Sequence, residues 1–282
     1  MQRLMRFATA DYSFPLLSWE KALRLACDLG MDGIDLSLFQ DRSQIKPEEA
    51  LANPTVSGAK ARAAVESNGL AVADVFGIPG KDFVELCPNH PDAGVRRNSR
   101  EYFRRLVDFA ASCGSAHLTS LPGIVFEEFD GSFARCIEEL SWRLEVAGQA
   151  GLAFAVEGHT GSIIAQPKRA ERLVRSVTGL TLTLDLGHFI ALGYPQAAAN
   201  PLIEYASHVH VRCSSQGRLQ APLKTNVIDF NDLVKRLTAR NYPGWYTIEY
   251  VWLDWEHCNE VDNLSETILL RGVLEAAAKA AG

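Results

Sequence analysis

The sequence predicts a (β/α)8 TIM barrel, and three observations lead there. Eight short apolar runs of strand character alternate with helical stretches, which means parallel strands buried on both faces. The chain has 282 residues and no linker or low-complexity segment, which suits one long domain over 1–282. No GxGxxG turn follows any strand, so the phosphate-cradling fingerprint of the commonest dinucleotide-binding open sheet, the main competing architecture, is missing.

The first strand reads RFATA (6–10). It is followed by SWEKALRLACDLG, where Leu23, Leu25, Ala26 and Leu29 build an apolar stripe and Gly30 supplies a C-cap. GIDLSLF (33–39) precedes a helix from about Pro54 to Asn68, closed by Gly69. LAVADVFG (70–77) precedes VRRNSREYFRRLVDFAASCG, closed by Gly114. AHLTSLPG (116–123) precedes SFARCIEELSWRLEVAGQAG, closed by Gly151.

The second half repeats the scheme. LAFAVEGH (152–159) leads to QPKRAERLVRSV, with Pro167 in the first turn, where a missing N–H leaves nothing unpaired. LTLTLDLGH (180–188) leads to PQAAANPLIEYA, a helix that Pro201 interrupts. SHVHVRC (207–213) leads through a loop to DFNDLVKRLTARNY. GWYTIEYVW (244–252) leads to the last helix, DNLSETILLRGVLEAAAKAA, with Asp262 or Asn263 as its N-cap.

Composition narrows the function classes. Lys and Arg number 28 against 34 Asp and Glu, a net charge of −6, which is not the basic footprint of a nucleic-acid binder. No apolar run approaches the roughly 18 to 20 residues of a membrane span. In the N-terminal stretch MQRLMRFATADYSF, Arg6 breaks the only apolar run, so a signal peptide is not expected. The six cysteines form no CxxC pair and read as reduced thiols of a cytoplasmic protein. A small-molecule substrate and a homo-oligomer, dimer or tetramer, are expected, without nucleic acid or membrane.

The chemistry lies on the inward faces of the last four strands. In HVHVR (208–212), Val209 and Val211 point toward the helices while His208, His210 and Arg212 point inward, where each needs a partner, a counter-charge or a metal. Barrel active sites open at the C-terminal rim. Near that rim AFAVEGH supplies Glu157 and His159, TLTLDLGHF supplies Asp185 and then His188, and WYTIEYVW supplies Glu249. Glu157, Asp185, His210 and Glu249 therefore share one height on successive strands. Three carboxylates and one imidazole suit Mn²⁺, Mg²⁺ or Co²⁺, with Zn²⁺ also able to bind, and a divalent ion relieves their mutual repulsion.

The alternatives are plainer. Glu157 can form a structural ion pair with Arg212. His208 reads as a packed core residue, His117 as structural, and His90 and His257 as loop residues. His159 orients a ligand, touches substrate or is merely a loop residue. Phe39, Phe76, Trp252 and Trp255, at strand ends, supply an apolar wall or ordinary packing.

With VEGH, LDLGHF, HVHVR and IEY in place, the chain resembles the sugar phosphate isomerase/epimerase superfamily, the xylose-isomerase-like TIM barrels. The resemblance spans essentially the whole chain. It implies one divalent metal ion, Mn²⁺ first, on Glu157, Asp185, His210 and Glu249, and it gives His188 the role of the DxxH histidine that touches substrate. Glu157 and Glu249 then form an acid/base pair for an enediolate reaction of a small keto-sugar or sugar acid, an isomerisation or epimerisation. A lyase or dehydratase of the inosose or 3-dehydroshikimate type, or one cleaving a keto-sugar, is the alternative. A non-catalytic sugar-binding relative is the third, disfavoured because all four ligands are present.

Two departures from the ketose 3-epimerases stand out. GHTGSII lacks the further Glu those enzymes carry after the fifth strand. VRCSSQGRLQ replaces the usual acidic residue after the seventh-strand His with Arg212, Gln216, Arg218 and Gln220. Arg212 and Gln220 are thus expected to contact substrate, and an oxidised or acidic substrate is favoured. The richer His/Glu/Asp cluster and the basic surface of endonuclease IV are absent from the sequence.

Overall fold

Ile34, Leu36 and Leu38 share one face of a strand, and Asp35 and Ser37 share the other; all five are buried. Such a strand has no solvent face and needs helices on one side and a closed interior on the other. The computed structural model, which describes residues 5–281, satisfies both demands. The strands β1 (Arg6–Ala10), β2 (Gly33–Phe39), β3 (Ala71–Ile78), β4 (His117–Ser120), β5 (Ala153–Glu157), β6 (Thr181–Asp185), β7 (Ala206–Val211) and β8 (Trp245–Ile248) pair in parallel in chain order. β8 closes on β1 to complete a (β/α)8 TIM barrel.

The outer layer contains α1 (Trp19–Asp28), α2 (Pro47–Ala52), α3 (Pro54–Ser67), α4 (Ala93–Ser112), α5 (Phe129–Gln149) and α6 (Pro167–Ser176). It continues with α7 (Leu186–Ala191), α8 (Gln196–Ala199), α9 (Phe230–Ala239) and α10 (Asn263–Ala281). The apolar strand faces join these helices: Ile34, Leu36 and Leu38 lie in one cluster with Leu23, Val65 and Leu106. Asp262 caps α10, its Oδ1 accepting from the amides of Leu264 at 3.1 Å and Ser265 at 3.2 Å. Gly114 closes α4 at φ 80°, the left-handed conformation expected of a glycine there.

Three details differ from the expected elements. LTLTLDLGH stops being a strand at Asp185 and turns at once into α7, because Asp185 Oδ1 accepts the Gly187 amide at 2.7 Å as an N-cap. GWYTIEYVW leaves the sheet after Ile248, so Glu249 stands just past the strand end. PQAAANPLIEYA splits into α8 and a 3-10 turn, Asn200–Tyr205, since Pro201 has no N–H with which to continue a helix.

All six cysteines are free thiols, Cys27 exposed and the rest buried. No helix among the described residues is long and apolar enough to cross a membrane. Residues 1–4, part of the stretch read against a signal peptide, lie outside the described residues.

The barrel interior is polar and paired. His117, first residue of β4, holds Asp74 at 2.7 Å and the Ser207 hydroxyl at 2.7 Å, and stacks 5.2 Å from the His208 ring. His208 bonds Asp35 at 2.8 Å and Thr247 at 3.0 Å. Each histidine thus bonds side chains of other strands inside the barrel.

At the top of β1, buried Asp11 accepts from the Ser37 amide at 3.1 Å and the Ser37 hydroxyl at 2.7 Å through Oδ1, while Oδ2 has no partner. Burial pushes its carboxyl up to about 7 against those hydrogen bonds. The folded pKa thus exceeds the unfolded value of about 3.9, so the folded chain binds the extra proton between the two and stability falls as pH rises through them. The slope is at most about 1.4 kcal/mol per pH unit. Asp11→Asn keeps an oxygen for Ser37 and never ionises. Denaturant unfolding of both proteins should show wild type losing stability relative to the variant between about pH 4 and pH 7.

Candidate metal centre

Strand alternation brings the sequence-predicted donors to one level. Asp185 pairs in register with His210, and His210 with Thr247, two residues before Glu249. Glu157 ends β5. His210 Nδ1 donates to Glu157 Oε1 at 2.9 Å and lies 3.2 Å from Glu249 Oε2. One donor atom each from Glu157, His210 and Glu249 lie within 4.8 Å of one another, all buried.

Asp185 joins this group through Arg212. The Arg212 Nε–H donates to Asp185 Oδ2 at 2.9 Å, and its Nη2 reaches both Asp185 Oδ2, at 2.8 Å, and Glu249. The alternative pairing of Arg212 with Glu157 does not form; the guanidinium bridges the sixth- and eighth-strand carboxylates instead. Tyr12, from the turn after β1, donates its phenolic O–H to Glu249.

Asp35 on β2 completes the cluster. His210 Nε2 donates to Asp35 Oδ2 at 3.2 Å, and the same oxygen holds His208. Burial pulls the His210 pKa down, but the hydrogen bonds and charges of Asp35 and Glu157 prevail and push it up to about 10. Burial likewise raises Glu157, yet the His210 hydrogen bond and charge carry it below the usual carboxylate range. For Asp185, burial outweighs Arg212 and the carboxyl titrates above its ordinary value. Protonated His210 and Arg212 are the protein's own counter-charges for this cluster.

The donor set fits a hard or borderline divalent cation: carboxylate oxygens converge on an imidazole nitrogen, with no thiolate near. The Asp35 hydrogen bond on Nε2 leaves Nδ1 as the nitrogen that can shed its proton toward a cation, the carboxylate–histidine arrangement of metal sites. This buried Asp/His/Glu cluster could hold a metal.

His188 and His159 stand beside it. The Thr160 amide donates to His188 Nδ1 at 3.2 Å, while His159 Nδ1–H donates to the Thr160 carbonyl at 2.7 Å. One residue therefore sets opposite tautomers. His188 presents an unpartnered Nε2–H, 3.7 Å from both Glu157 and Asp185, and His159 presents a bare Nε2. Burial lowers both pKa values, that of His188 well below its ordinary value, keeping the pair neutral.

Above the cluster opens a cavity of about 400 Å³ walled by Phe39, Phe76, Phe83, Leu253 and Trp255, with Glu157, His159, His188, Arg212 and Glu249 at its floor. Trp255 stacks on His159 at 5.0 Å. Two expected substrate contacts need correction. Trp252 is 43% exposed and lies outside the cavity, because the chain leaves the strand after Ile248 and its alternation no longer aims side chains inward. Gln220 is buried, but its amide is fully engaged with Val251 and with Cys258 O and Asn263 Oδ1, pinning the loop after β8. Arg218 pairs with Glu260 on the surface at 2.7 Å, so of that polar loop only Arg212 reaches the cavity.

The sequence reading missed Tyr12, Asp35, Arg42 and Lys81. Only Asp35 carried a readable signal, since it lies in phase with Ser37 on the polar face of GIDLSLF.

The chain belongs to the xylose isomerase-like TIM barrel family, whose model matches residues 23–270. Comparison with curated proteins gives no significant match. Among solved structures, an L-ribulose 3-epimerase superposes with a TM-score of 0.77 at 16% identity, covering 98% of this chain and 95% of its own. A xylose isomerase-like TIM barrel protein from Mycobacterium smegmatis, in complex with magnesium, gives 0.73 at 17% identity, covering 98% and 97%. The probable 3-DHS dehydratase AsbF of Bacillus anthracis gives 0.71 at 14% identity, covering 95% and 99%. At these identities the similarity is one of fold.

The two corrected residues make a paired prediction. Gln220→Ala strands several buried polar groups and should destabilise by about 2 to 4 kcal/mol, whereas Trp252→Ala should stay within about 0.5 kcal/mol of wild type. Thermal unfolding of both variants checks this.

Proposed function

We propose that this protein is a divalent-metal-dependent isomerase or epimerase of a small keto-sugar or sugar acid. The meeting of two buried carboxylates, Glu157 and Glu249, at His210 Nδ1 on the floor of an aromatic-walled cavity carries this proposal. The family membership and the sugar 3-epimerase among the similar structures support it.

Glu157, Asp185, His210 and Glu249 would hold the metal. The chemistry it supplies when bound is polarisation of a carbonyl and stabilisation of the charge that grows as a neighbouring C–H proton leaves. The protein's own groups do the rest. Glu157 and Glu249 reach the floor from β5 and from the end of β8, so a substrate carbon between them has a carboxylate on either side. One, as carboxylate, takes the C–H proton, and the other, as carboxylic acid, delivers the proton it already holds: to the opposite face for epimerisation, or to the adjacent carbon for isomerisation, where a hydroxyl proton also passes to the carbonyl oxygen. Tyr12 and Arg212 fix the Glu249 carboxylate in place. His188 Nε2–H donates to a substrate oxygen, His159 Nε2 accepts from a hydroxyl, and the aromatic wall keeps water off the enediolate.

A dehydratase on the same scaffold is the second reading. Residues 158–166, immediately after Glu157, bury Ile163 and Ile164 and offer the cavity no carboxylate, and the probable 3-DHS dehydratase shares the fold.

Three experiments test the proposal. Asp185→Asn and His210→Ala should lose bound divalent metal with the fold intact, measured by elemental analysis and circular dichroism; full occupancy would remove the assignment. Glu157→Gln and Glu249→Gln keep an oxygen donor but not the base, and each should lower kcat by about 10² to 10⁴-fold with a smaller change in KM. Wild type in D₂O should place deuterium on the carbon next to the carbonyl. Near-normal turnover by both Gln variants would hand proton transfer to His188 and His159.

A further inference from the structure

The cavity has two chemically different ends. Its floor carries the carboxylates and imidazoles of the candidate metal centre. Its mouth carries two cations, Arg42 from the loop after β2 and Lys81 from the loop after β3.

Arg42 is partly buried, and its guanidinium lies 5.7 Å from the Phe39 ring centroid. Among the described residues its side chain has no hydrogen-bond or ion-pair partner, whereas most other partly buried arginines here are paired: Arg96 and Arg100 with Glu139, Arg271 with Glu275. Burial lowers its pKa, and the only group acting the other way is Tyr12, on the cavity wall; no carboxylate compensates. Asp82, which also lines the cavity, accepts the amides of Val84 and Glu85 through Oδ1, each at 2.8 Å, and forms no ion pair with Arg42.

The loop is also built to hold Arg42 where it is. Ser43 Oγ accepts the Phe39 amide at 2.6 Å and meets Ser37 Oγ at 2.8 Å, which in turn binds buried Asp11. Asp41 adopts a left-handed φ of 59° to make the turn, a conformation that is unfavourable for a non-glycine residue. A half-desolvated guanidinium without a counter-ion, on a strained and pinned turn, facing a cavity, calls for an anion from outside the chain.

We infer that Arg42, assisted by Lys81, receives a terminal oxyanion of the substrate, so that the cavity takes a polyhydroxy carbonyl compound bearing a carboxylate or phosphate at the end away from His210. This rests on the proposed reading of the floor as the carbonyl-binding end. It also moves the selection for an acidic substrate from the loop after β7, where Arg218 and Gln220 are otherwise engaged, to the loops after β2 and β3.

Isothermal titration of the metal-loaded protein with three six-carbon polyols tests it without turnover: D-glucitol, D-gluconate and D-glucitol 6-phosphate. At least one anionic polyol should bind about tenfold or more tightly than glucitol, and the tighter of the two tells carboxylate from phosphate. Arg42→Ala should abolish that preference with glucitol binding unchanged, Arg42→Lys should retain part of it, and Lys81→Ala should lose less than Arg42→Ala. Because the Arg42 side chain bonds no other residue, circular dichroism should show these variants folded. Equal affinity for all three polyols overturns the inference, as does a preference that survives in Arg42→Ala, which would place the anion on the metal. Binding of none of them at millimolar concentration overturns it too. Deuterium exchange on the same preparation separates the two ideas: an oxyanion preference without exchange on any carbonyl compound sinks the proposed chemistry and leaves Arg42 standing.

Discussion

His210 is held from both sides inside the barrel, Nε2 by Asp35 and Nδ1 by Glu157, and much of the molecule is arranged around that triad. A carboxylate or imidazolium buried alone would cost several kcal/mol. Here each charge meets an opposite one, and the triad ties β2, β5 and β7 together across the interior. Asp35 Oδ2 is shared with His208, so the same carboxylate anchors the layer beneath. A one-residue slip of β7 would turn both imidazoles toward the helices and leave Asp35 and Glu157 facing each other's field unpaired.

The same constraint explains why the floor of the cavity is both charged and extensively hydrogen-bonded. Arg212 bridges Asp185 and Glu249 as His210 bridges Asp35 and Glu157, so that a cation stands between each pair of acids. The neutral histidines follow another rule. His159 and His188 are governed by the backbone amide, the carbonyl and the hydroxyl of Thr160, and so face the cavity as acceptor and donor respectively. Two like side chains with opposite hydrogen-bonding polarity can grip two different substrate oxygens without adding charge.

Floor and mouth come from different halves of the chain. The last four strands supply the donors, whereas the loops after β2 and β3 supply the cations, and Asp11, Ser37 and Ser43 connect the two through the top of β1 and β2. A ligand reaching from His210 to Arg42 would therefore bridge both halves of the barrel, as is common where catalytic groups and specificity groups evolve on separate loops of one rim.

The barrel was legible in the sequence because its signals are local: alternating polar and apolar residues in HVHVR and GIDLSLF, glycines such as Gly114 after helices, Pro167 in a first turn. The inward phase of Glu157, Asp185, His210 and Glu249 was legible for the same reason, since strand alternation is fixed by backbone geometry. Partners across the barrel were not. Asp35 lies 175 residues from His210, and no local pattern says which inward acid meets which inward base. Alternation also stops where the sheet stops, which is why Trp252 was misplaced, and a polar loop residue such as Gln220 shows nothing in sequence of whether it faces a ligand or the backbone beside it. Residue type and spacing thus determined the fold and which four side chains share a level. Only the closed tertiary structure decided that Arg212 bridges two acids, that Thr160 sets two tautomers and that Arg42 reaches the mouth without an acid to pair with, because each depends on distances between segments that meet only when the barrel closes.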